Sequence, residues 1–299
     1  MYWYVLLIFV VIFYAGNLLV GRDINALPPF TIAFSRLVIA FIVLLPLGWH
    51  QLRRLRPVYR TYKKPFFLMA LTGVALFNTL IYAALQFTTS TNAAVLESSV
   101  PVVTVIASAF LIKERLNILQ WLGVLLSLFG AIWVVLDGNL SDVASLSWNV
   151  GDALMIGALL CWSAYSILIK KYMHLFPAYG ALLAMTGVAV LLLLPFVVFE
   201  WLLTGIPVIW TPGHMVGLVY LGVFPSVIAL IFYNKAVSHL GASRASIFLN
   251  FLPVVTMIGA YLWLGEEITL MHVTGTICVI GGVILTTRQR EKNSNPVDG

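Results

Sequence analysis

Apolar residues run along the chain in blocks of about 20, each closed by a short polar or charged stretch. At about 1.5 Å per residue, a block of that length is what an α-helix needs to cross a bilayer core. The pattern predicts ten spans, at about 3–21, 29–49, 66–86, 90–112, 117–136, 150–170, 178–203, 213–234, 242–264 and 269–287. The expected fold class is therefore an all-α membrane protein. Blocks 4 and 5, and blocks 9 and 10, are separated by a few residues, so each pair reads as an antiparallel hairpin. The chain begins MYWYVLL with no basic flank, which reads as a first transmembrane helix rather than a secretory signal. The tail from Arg288, RQREKNSNPVDG, is polar and predicted to be disordered.

Two blocks break the apolar rule in the same way. Residues 93–115 read AAVLESSVPVVTVIASAFLIKER, and residues 245–267 read ASIFLNFLPVVTMIGAYLWLGEE. A shift of 152 positions lays Pro101 on Pro253, Thr104 on Thr256, Glu114 on Glu266, Gly123 on Gly275 and Gly130 on Gly282. Proline has no N–H and its ring presses on the carbonyl four residues back. Pro101 thus frees the carbonyl of Glu97, and Pro253 that of Leu249. In hydrocarbon a freed carbonyl is tolerated only against protein or a watery cavity. A plain kink is the bland reading of either proline. Two copies beside polar side chains favour a cavity, since paired interrupted helices mark transporter binding sites.

Composition supports the membrane reading: 61% of the 299 residues are hydrophobic and 9% charged, with mean hydropathy +1.01. The +6 net charge does not indicate nucleic acid, because the basic residues gather in the connections between spans. With the N-terminus in the cytoplasm, the inner segments hold Arg53, Arg54, Arg56, Arg60, Lys63, Lys64, Lys113, Arg115, Lys170, Lys171, Lys235, Arg244, Arg288, Arg290 and Lys292. That is fifteen of the seventeen Lys and Arg residues. Arg22 falls in an outer loop and Arg36 inside span 2. Five spans per half is odd, so the second half enters the membrane from the opposite face. The chain then divides into two inverted repeats, residues 1–140 and 141–287, followed by the 288–299 tail.

Polar and aromatic residues at depth are the candidate site. Ser90, Ala94, Glu97, Pro101, Thr104 and Ser108 share one face of span 4. Ser243, Ser246, Asn250, Pro253, Met257 and Ala260 form a similar face on span 9. Such faces also serve helix packing, and packing is the preferred role for the serines generally. Ser98 beside Glu97, and Asn250, are kept as cavity candidates, an interhelical hydrogen bond being the equal alternative for Asn250. Tyr14 and Asn17 share a face of span 1, Asn78 and Tyr82 one of span 3, and Trp162 and Tyr165 one of span 6. Buried aromatics there would hold an apolar group or stack on a cation. Tyr233, at the inner end of span 8, reads as an anchor or a gate. Glu97 lies seven residues past Ser90, and Arg36 seven past Pro29, so both reach about 10 Å into the membrane from the outside. Opposite charges at one depth suggest an ion pair between Arg36 and Glu97. The alternative is a direct role for Glu97 with substrate or protons.

Several chemistries have no carrier. Cys161 and Cys278 both lie in apolar runs and make neither a disulfide framework nor a metal site. His50, His174, His214, His239 and His272 are scattered. There is no Walker A loop, HExxH or G-x-S-x-G, so no cofactor, metal or enzymatic activity is expected. Gly123 with Gly130, and Gly275 with Gly282, each share a helix face. Close packing of spans 5 and 10 is the preferred reading of these glycines, a dimer interface the sharper one. The sequence leaves monomer and homodimer open.

The doubled pattern resembles the drug/metabolite transporter superfamily, EamA type. Leu111-Ile112-Lys113-Glu114-Arg115-Leu116 is followed by Gly123 and Gly130, and Leu264-Gly265-Glu266-Glu267 by Gly275 and Gly282. Phe34-Ser35-Arg36 resembles the family's span-2 arginine, and Tyr14-Ala15-Gly16-Asn17 its span-1 turn. Lys113 stands where the family commonly has glycine. The resemblance spans about residues 4–287. It implies export of small metabolites, amino acids foremost, across a bacterial inner membrane by alternating access. It also implies a central cavity from spans 1, 3, 4, 6, 8 and 9, with spans 5 and 10 peripheral. Exchange of phosphorylated or nucleotide sugars is the alternative, but needs cavity Lys or Arg. Export of lipophilic drugs is a further one.

Overall fold

A computed structural model describes residues 2–54, 58, 61–100, 102–103, 106, 117–135, 138, 149–172, 175–207, 211–240 and 249–288. All regular structure among them is helical. The helices are α1 (Tyr2–Asp23), α2 (Pro29–Arg54), α3 (Lys63–Met69, Ala70–Leu76 and Phe77–Ala84), α4 (Ser90–Glu97) and α5 (Ile118–Val135). They continue with α6 (Val150–Tyr172), α7 (Ala178–Thr204), α8 (Pro212–Val223, Phe224–Ile228 and Ala229–Leu240), α9 (Leu252–Gly259 and Ala260–Leu264) and α10 (Leu270–Arg288). Among the described residues, six stretches are long and apolar enough to cross a membrane: Tyr2–Asp23, Pro29–Arg53, Lys63–Ala84, Val150–Ile169, Ala178–Thr204 and Pro212–Tyr233. Ile118–Val134, Leu252–Leu264 and Leu270–Leu285 are shorter apolar helices. Leu191, Leu202 and Leu270 are 70, 79 and 83% exposed. A surface so apolar suits lipid rather than water. Pro101, Thr104, Ser108, Lys113, Glu114, Arg115, Ser243, Ser246, Arg244 and the tail beyond Arg288 lie outside the described residues.

The helices pack in reciprocal pairs. The most extensive contacts join α5 to α10 and α2 to α7; α4 packs on α9. The contact of α3 with α6 is matched by one of α8 with α1, and that of α4 with α6 by one of α9 with α1. The α5–α10 seam depends on glycine. A Cβ on Gly282 would stand 2.5 Å from the Gly123 oxygen and the Ser127 nitrogen, and one on Gly130 2.7 Å from the Gly275 oxygen. Only bare backbones approach that closely, as in membrane helix pairs lined by small residues. The four glycines are thus used within the chain.

The α2–α7 pair has its own correspondence, at a shift of 149. Pro46 lies inside α2 and Pro195 inside α7. The first N–H groups of a helix lack intrahelical acceptors and need outside partners. Glu200, near the end of α7, accepts from Phe30 N (3.1 Å), Thr31 N (2.8 Å) and Thr31 Oγ1 (2.8 Å) at the start of α2. Gln51, near the end of α2, accepts from Gly180 N (3.0 Å) at the start of α7. Glu200 follows Gln51, and Gly180 follows Thr31, by that same 149. The register differs by three residues from that of spans 4–5 and 9–10, which hid the relation from a comparison made at 152.

One end of the bundle is laced by hydrogen bonds. Gly265, at φ 66°, closes α9 and turns the chain sharply, a conformation open to glycine at little cost. Glu266 thereby reaches the start of α4. It accepts from Ser90 N (2.9 Å), Ser90 Oγ (2.8 Å), Thr91 N (3.1 Å) and Thr91 Oγ1 (2.8 Å). Nearby, Thr88 Oγ1 donates to Asp152 (2.9 Å), Asn149 donates to the Phe87 carbonyl (2.7 Å), and Arg22 donates to the Leu85 carbonyl.

Candidate functional site

Two helix breaks face each other near the centre of the bundle. α4 ends at Glu97 and the chain turns at Ser98 and Ser99 before helix resumes. α9 starts at Leu252 after a turn at Asn250 and Phe251, with Pro253 in its first turn, where a missing N–H costs nothing. The turns are 152 residues apart. Pro101 lies outside the described residues.

A third break lies in α8 and escaped the sequence reading. Pro225 has no N–H for the carbonyl of Leu221, four residues back. The helix widens to a π-type turn over Phe224–Ile228, and Ser226 Oγ donates to Leu221 O (2.7 Å) in place of the missing group. α3 carries a similar wide turn at Ala70–Leu76. Such turns recur at functional sites in helices. A proline in mid-block, in Phe224-Pro225-Ser226, was the available signal.

These breaks border a cavity of about 180 Å³. Of the residues singled out from sequence, Tyr14 and Asn17 (α1), Arg36 (α2), Asn78 (α3) and Glu97 with Ser98 (α4) line it. So do Trp162 and Tyr165 (α6) and Asn250 before α9. α2 and α7 also contribute, through Leu37, Leu182 and Thr186, which extends the expected ring of spans 1, 3, 4, 6, 8 and 9. No lining residue among those described comes from α5 or α10. Tyr82 and Tyr233 do not line the cavity. Tyr82 is 1% exposed and stands behind the wall, donating to Asn17 Oδ1 (2.9 Å).

Arg36 is the one cation among the described lining residues and is 4% exposed. Its Nη1 donates to Asn17 Oδ1 (2.8 Å) and to the Tyr82 hydroxyl. Its Nε and Nη2 both donate to Ser226 Oγ, at 3.2 and 2.6 Å. A guanidinium has five N–H donors, so one on Nη2 remains. The Arg36 charge is therefore held by neutral oxygens on α1, α3 and α8, and its carbon lies 5.4 Å from the Tyr82 ring centre.

The expected ion pair between Arg36 and Glu97 is not formed. Equal depth along two helices does not bring side chains together, and Arg36 is tied on the side of α1, α3 and α8. Glu97 Oε2 is buried with no hydrogen-bond partner. Both residues line the one cavity, so a positive and a negative group border the same space unpaired. The Asn250 amide makes no hydrogen bond to a described residue, while Asn78 Nδ2 donates to Val74 O (2.8 Å) within its own helix.

Part of the cavity lining is aromatic. Phe77 and Trp162 have ring centres 4.4 Å apart, and Trp162 and Tyr165 5.2 Å. Tyr165 lies flat on α3 because residue 73 is glycine: a Cβ there would fall 2.2 Å from the ring. Phe77 went unnoticed in the sequence, where one phenylalanine in an apolar block carries no signal.

The sequence model of the EamA-like transporter family matches residues 1–136 and 149–288. The uncharacterized transporter YyaM of Bacillus subtilis is 26% identical over 222 residues, covering 73% of this chain and 71% of its own. An uncharacterized transporter of Archaeoglobus fulgidus is 26% identical over 290 residues, covering 97% and 98%. YetK, another uncharacterized transporter of Bacillus subtilis, is 29% identical over 284 residues, covering 93% and 82%. A solved protein structure superposes with TM-score 0.64 at 17% identity, covering 97% of this chain and 98% of its own. At that identity the likeness speaks for the fold alone. With its apolar helices built round a polar cavity, and with the family match covering nearly its whole length, the chain belongs to the EamA-like transporter family: it is a multi-pass membrane transporter, not an enzyme.

Proposed function

We propose that the chain is a secondary carrier that exports small zwitterionic metabolites, amino acids foremost, by alternating access. The observation that carries this is a pair of opposite charges with no ion pair between them: Glu97 and Arg36 border one cavity without meeting. A substrate ammonium would satisfy the Glu97 carboxylate, and its carboxylate the remaining Nη2 donor of Arg36. Either charge alone is costly in a membrane interior, so a ligand that supplies both counter-charges gains from each. Asn250 and Asn78 offer neutral polar groups, and Phe77, Trp162 and Tyr165 an apolar wall for the side chain. The cavity, at about 180 Å³, is below the roughly 300–1,000 Å³ of drug-sized sites, which disfavours lipophilic drugs. A phosphate ester would want a bidentate guanidinium, and Arg36 has one donor left.

The architecture that goes with this function is ten spans in two inverted repeats, 1–140 and 141–287. The reciprocal packing of α1–α5 and α6–α10 supports it, as do the Glu200 and Gln51 caps at opposite ends of α2 and α7. The gap between the matched stretches 1–136 and 149–288 falls at the same boundary. The lysine and arginine bias supports cytoplasmic termini, in the plasma membrane of a bacterial cell. The Glu266 end is then the external one, where its hydrogen bonds to Ser90 and Thr91 tie α9 to α4.

The test is counterflow. Purified protein in liposomes preloaded with one amino acid should accumulate labelled amino acid from outside, with zwitterions preferred over amines or carboxylates of the same side chain. Equal exchange of a phosphorylated sugar, or none of any zwitterion in a broad panel, overturns the reading.

A further inference from the structure

A groove away from the transport cavity has the chemistry of a lipid site. It lies between α3 and α7, has a volume of about 450 Å³, and is lined by Lys63, Lys64, Phe66, Phe67 and Val188. The charge is at one end and the apolar surface at the other. Lys63 opens α3, and Phe67, 43% exposed, follows one turn deeper. Val188 lies ten residues into α7, about 15 Å from its start. The groove thus runs from a doubly cationic mouth down an apolar floor.

Neither lysine has a hydrogen-bond or ion-pair partner among the described residues. Other basic residues by the same face are engaged: the Arg53 carbon sits 4.5 Å from the Trp49 ring centre, and Lys171 Nζ 5.3 Å from that of Tyr172. Among the described residues, Lys63 and Lys64 are therefore two adjacent cations without a partner, beside exposed Phe67 and half-buried Val188. Basic pockets between transmembrane helices are where anionic headgroups dock.

We propose that this groove binds an anionic phospholipid, its phosphodiester against Lys63 and Lys64 and one acyl chain along Phe67 and Val188. The inner leaflet as its source rests on the orientation proposed above; the headgroup chemistry does not. The occupant bridges α3 and α7, which carry Asn78, Phe77, Leu182 and Thr186 into the transport cavity. Lipid here would brace two walls of that cavity.

The test reads binding, not transport, so it stands or falls apart from the substrate reading. Full-length protein in mixed micelles with equimolar phosphatidylglycerol and phosphatidylcholine is analysed by native mass spectrometry. Two lysines, each worth about five-fold beside an anionic surface, give an expected preference for phosphatidylglycerol of roughly thirty-fold. The Lys63→Gln/Lys64→Gln pair should bring it to within about two-fold of even, and Lys171→Gln should leave it unchanged. Val188→Trp should lower retention of both lipids by filling the floor. An even ratio in the wild type overturns the proposal, as does a preference that survives the double substitution. An equal loss with Lys171→Gln would assign the effect to general surface charge, and displacement by inorganic phosphate would remove the acyl chain from the account; either result overturns it too.

Discussion

Glu266→Gln should loosen the Glu266 end of the bundle, the external one in the orientation proposed above, by about 2 kcal/mol. The carboxylate takes four hydrogen bonds, two from Ser90 and two from Thr91, which are 0% and 1% exposed. A glutamine keeps one accepting oxygen and turns an N–H₂ toward the other pair. A hydroxyl can rotate to another acceptor, but a buried backbone N–H cannot. One unsatisfied N–H costs about 1–3 kcal/mol. The lost negative charge at a helix N-terminus adds about 0.3–1 kcal/mol. If the latch forms only in the outward-closed state, a shift of about 2 kcal/mol raises the outward-open population roughly thirty-fold. The assay uses a single cysteine at Ser98, on the cavity wall, with Cys161 and Cys278 replaced by serine. An impermeant maleimide added outside should label it roughly thirty times faster in Glu266→Gln. Glu267→Gln, next in sequence and exposed, is the control. Unchanged labelling of Ser98→Cys alongside a lower melting temperature would refute the reasoning, since the cap would then stabilise both states alike.

Other substitutions test the site and the seam. Glu97→Gln and Arg36→Gln should each lower zwitterion exchange at least ten-fold, and the double substitution should recover none of it, because the two do not pair; recovery in counterflow would reinstate the ion pair. Asn250→Ala should raise the substrate KM by about two- to twelve-fold, the value of one hydrogen bond, with normal yield of folded protein. A large loss of yield with unchanged KM would make its role one of packing. Gly282→Leu puts side-chain atoms into the Gly123 backbone and should cost about 1–3 kcal/mol, read as a fall in melting temperature, while Gly281→Leu should cost less. Cysteines at Arg56 and Ser141 should label from opposite sides of the membrane, cytoplasmic and external; labelling from one side removes the inverted-repeat reading.

Much of this protein can be read along one dimension. Span length follows from bilayer thickness, and the depth of Glu97, Arg36 or Asn250 follows from rise per residue. The turn at Ser98–Ser99 follows from the polar residues before Pro101, and its counterpart at Asn250–Phe251 from the same spacing before Pro253. The 152-residue repeat needed only residue identity. What lies around the bundle axis is another matter. Helix rotation and tilt come from packing, and they decided that Arg36 turns to Asn17, Tyr82 and Ser226 rather than to Glu97. They put Tyr82 behind the wall while Asn78, four residues before it, lines the cavity. They brought Glu266 to Ser90 and Glu200 to Thr31, contacts across 176 and 169 residues that no local pattern encodes. Sequence alone therefore set the expected depth of each polar group along its span. The tertiary structure decided which of them meet, because in a membrane interior a charge goes to whatever oxygen the neighbouring helices present.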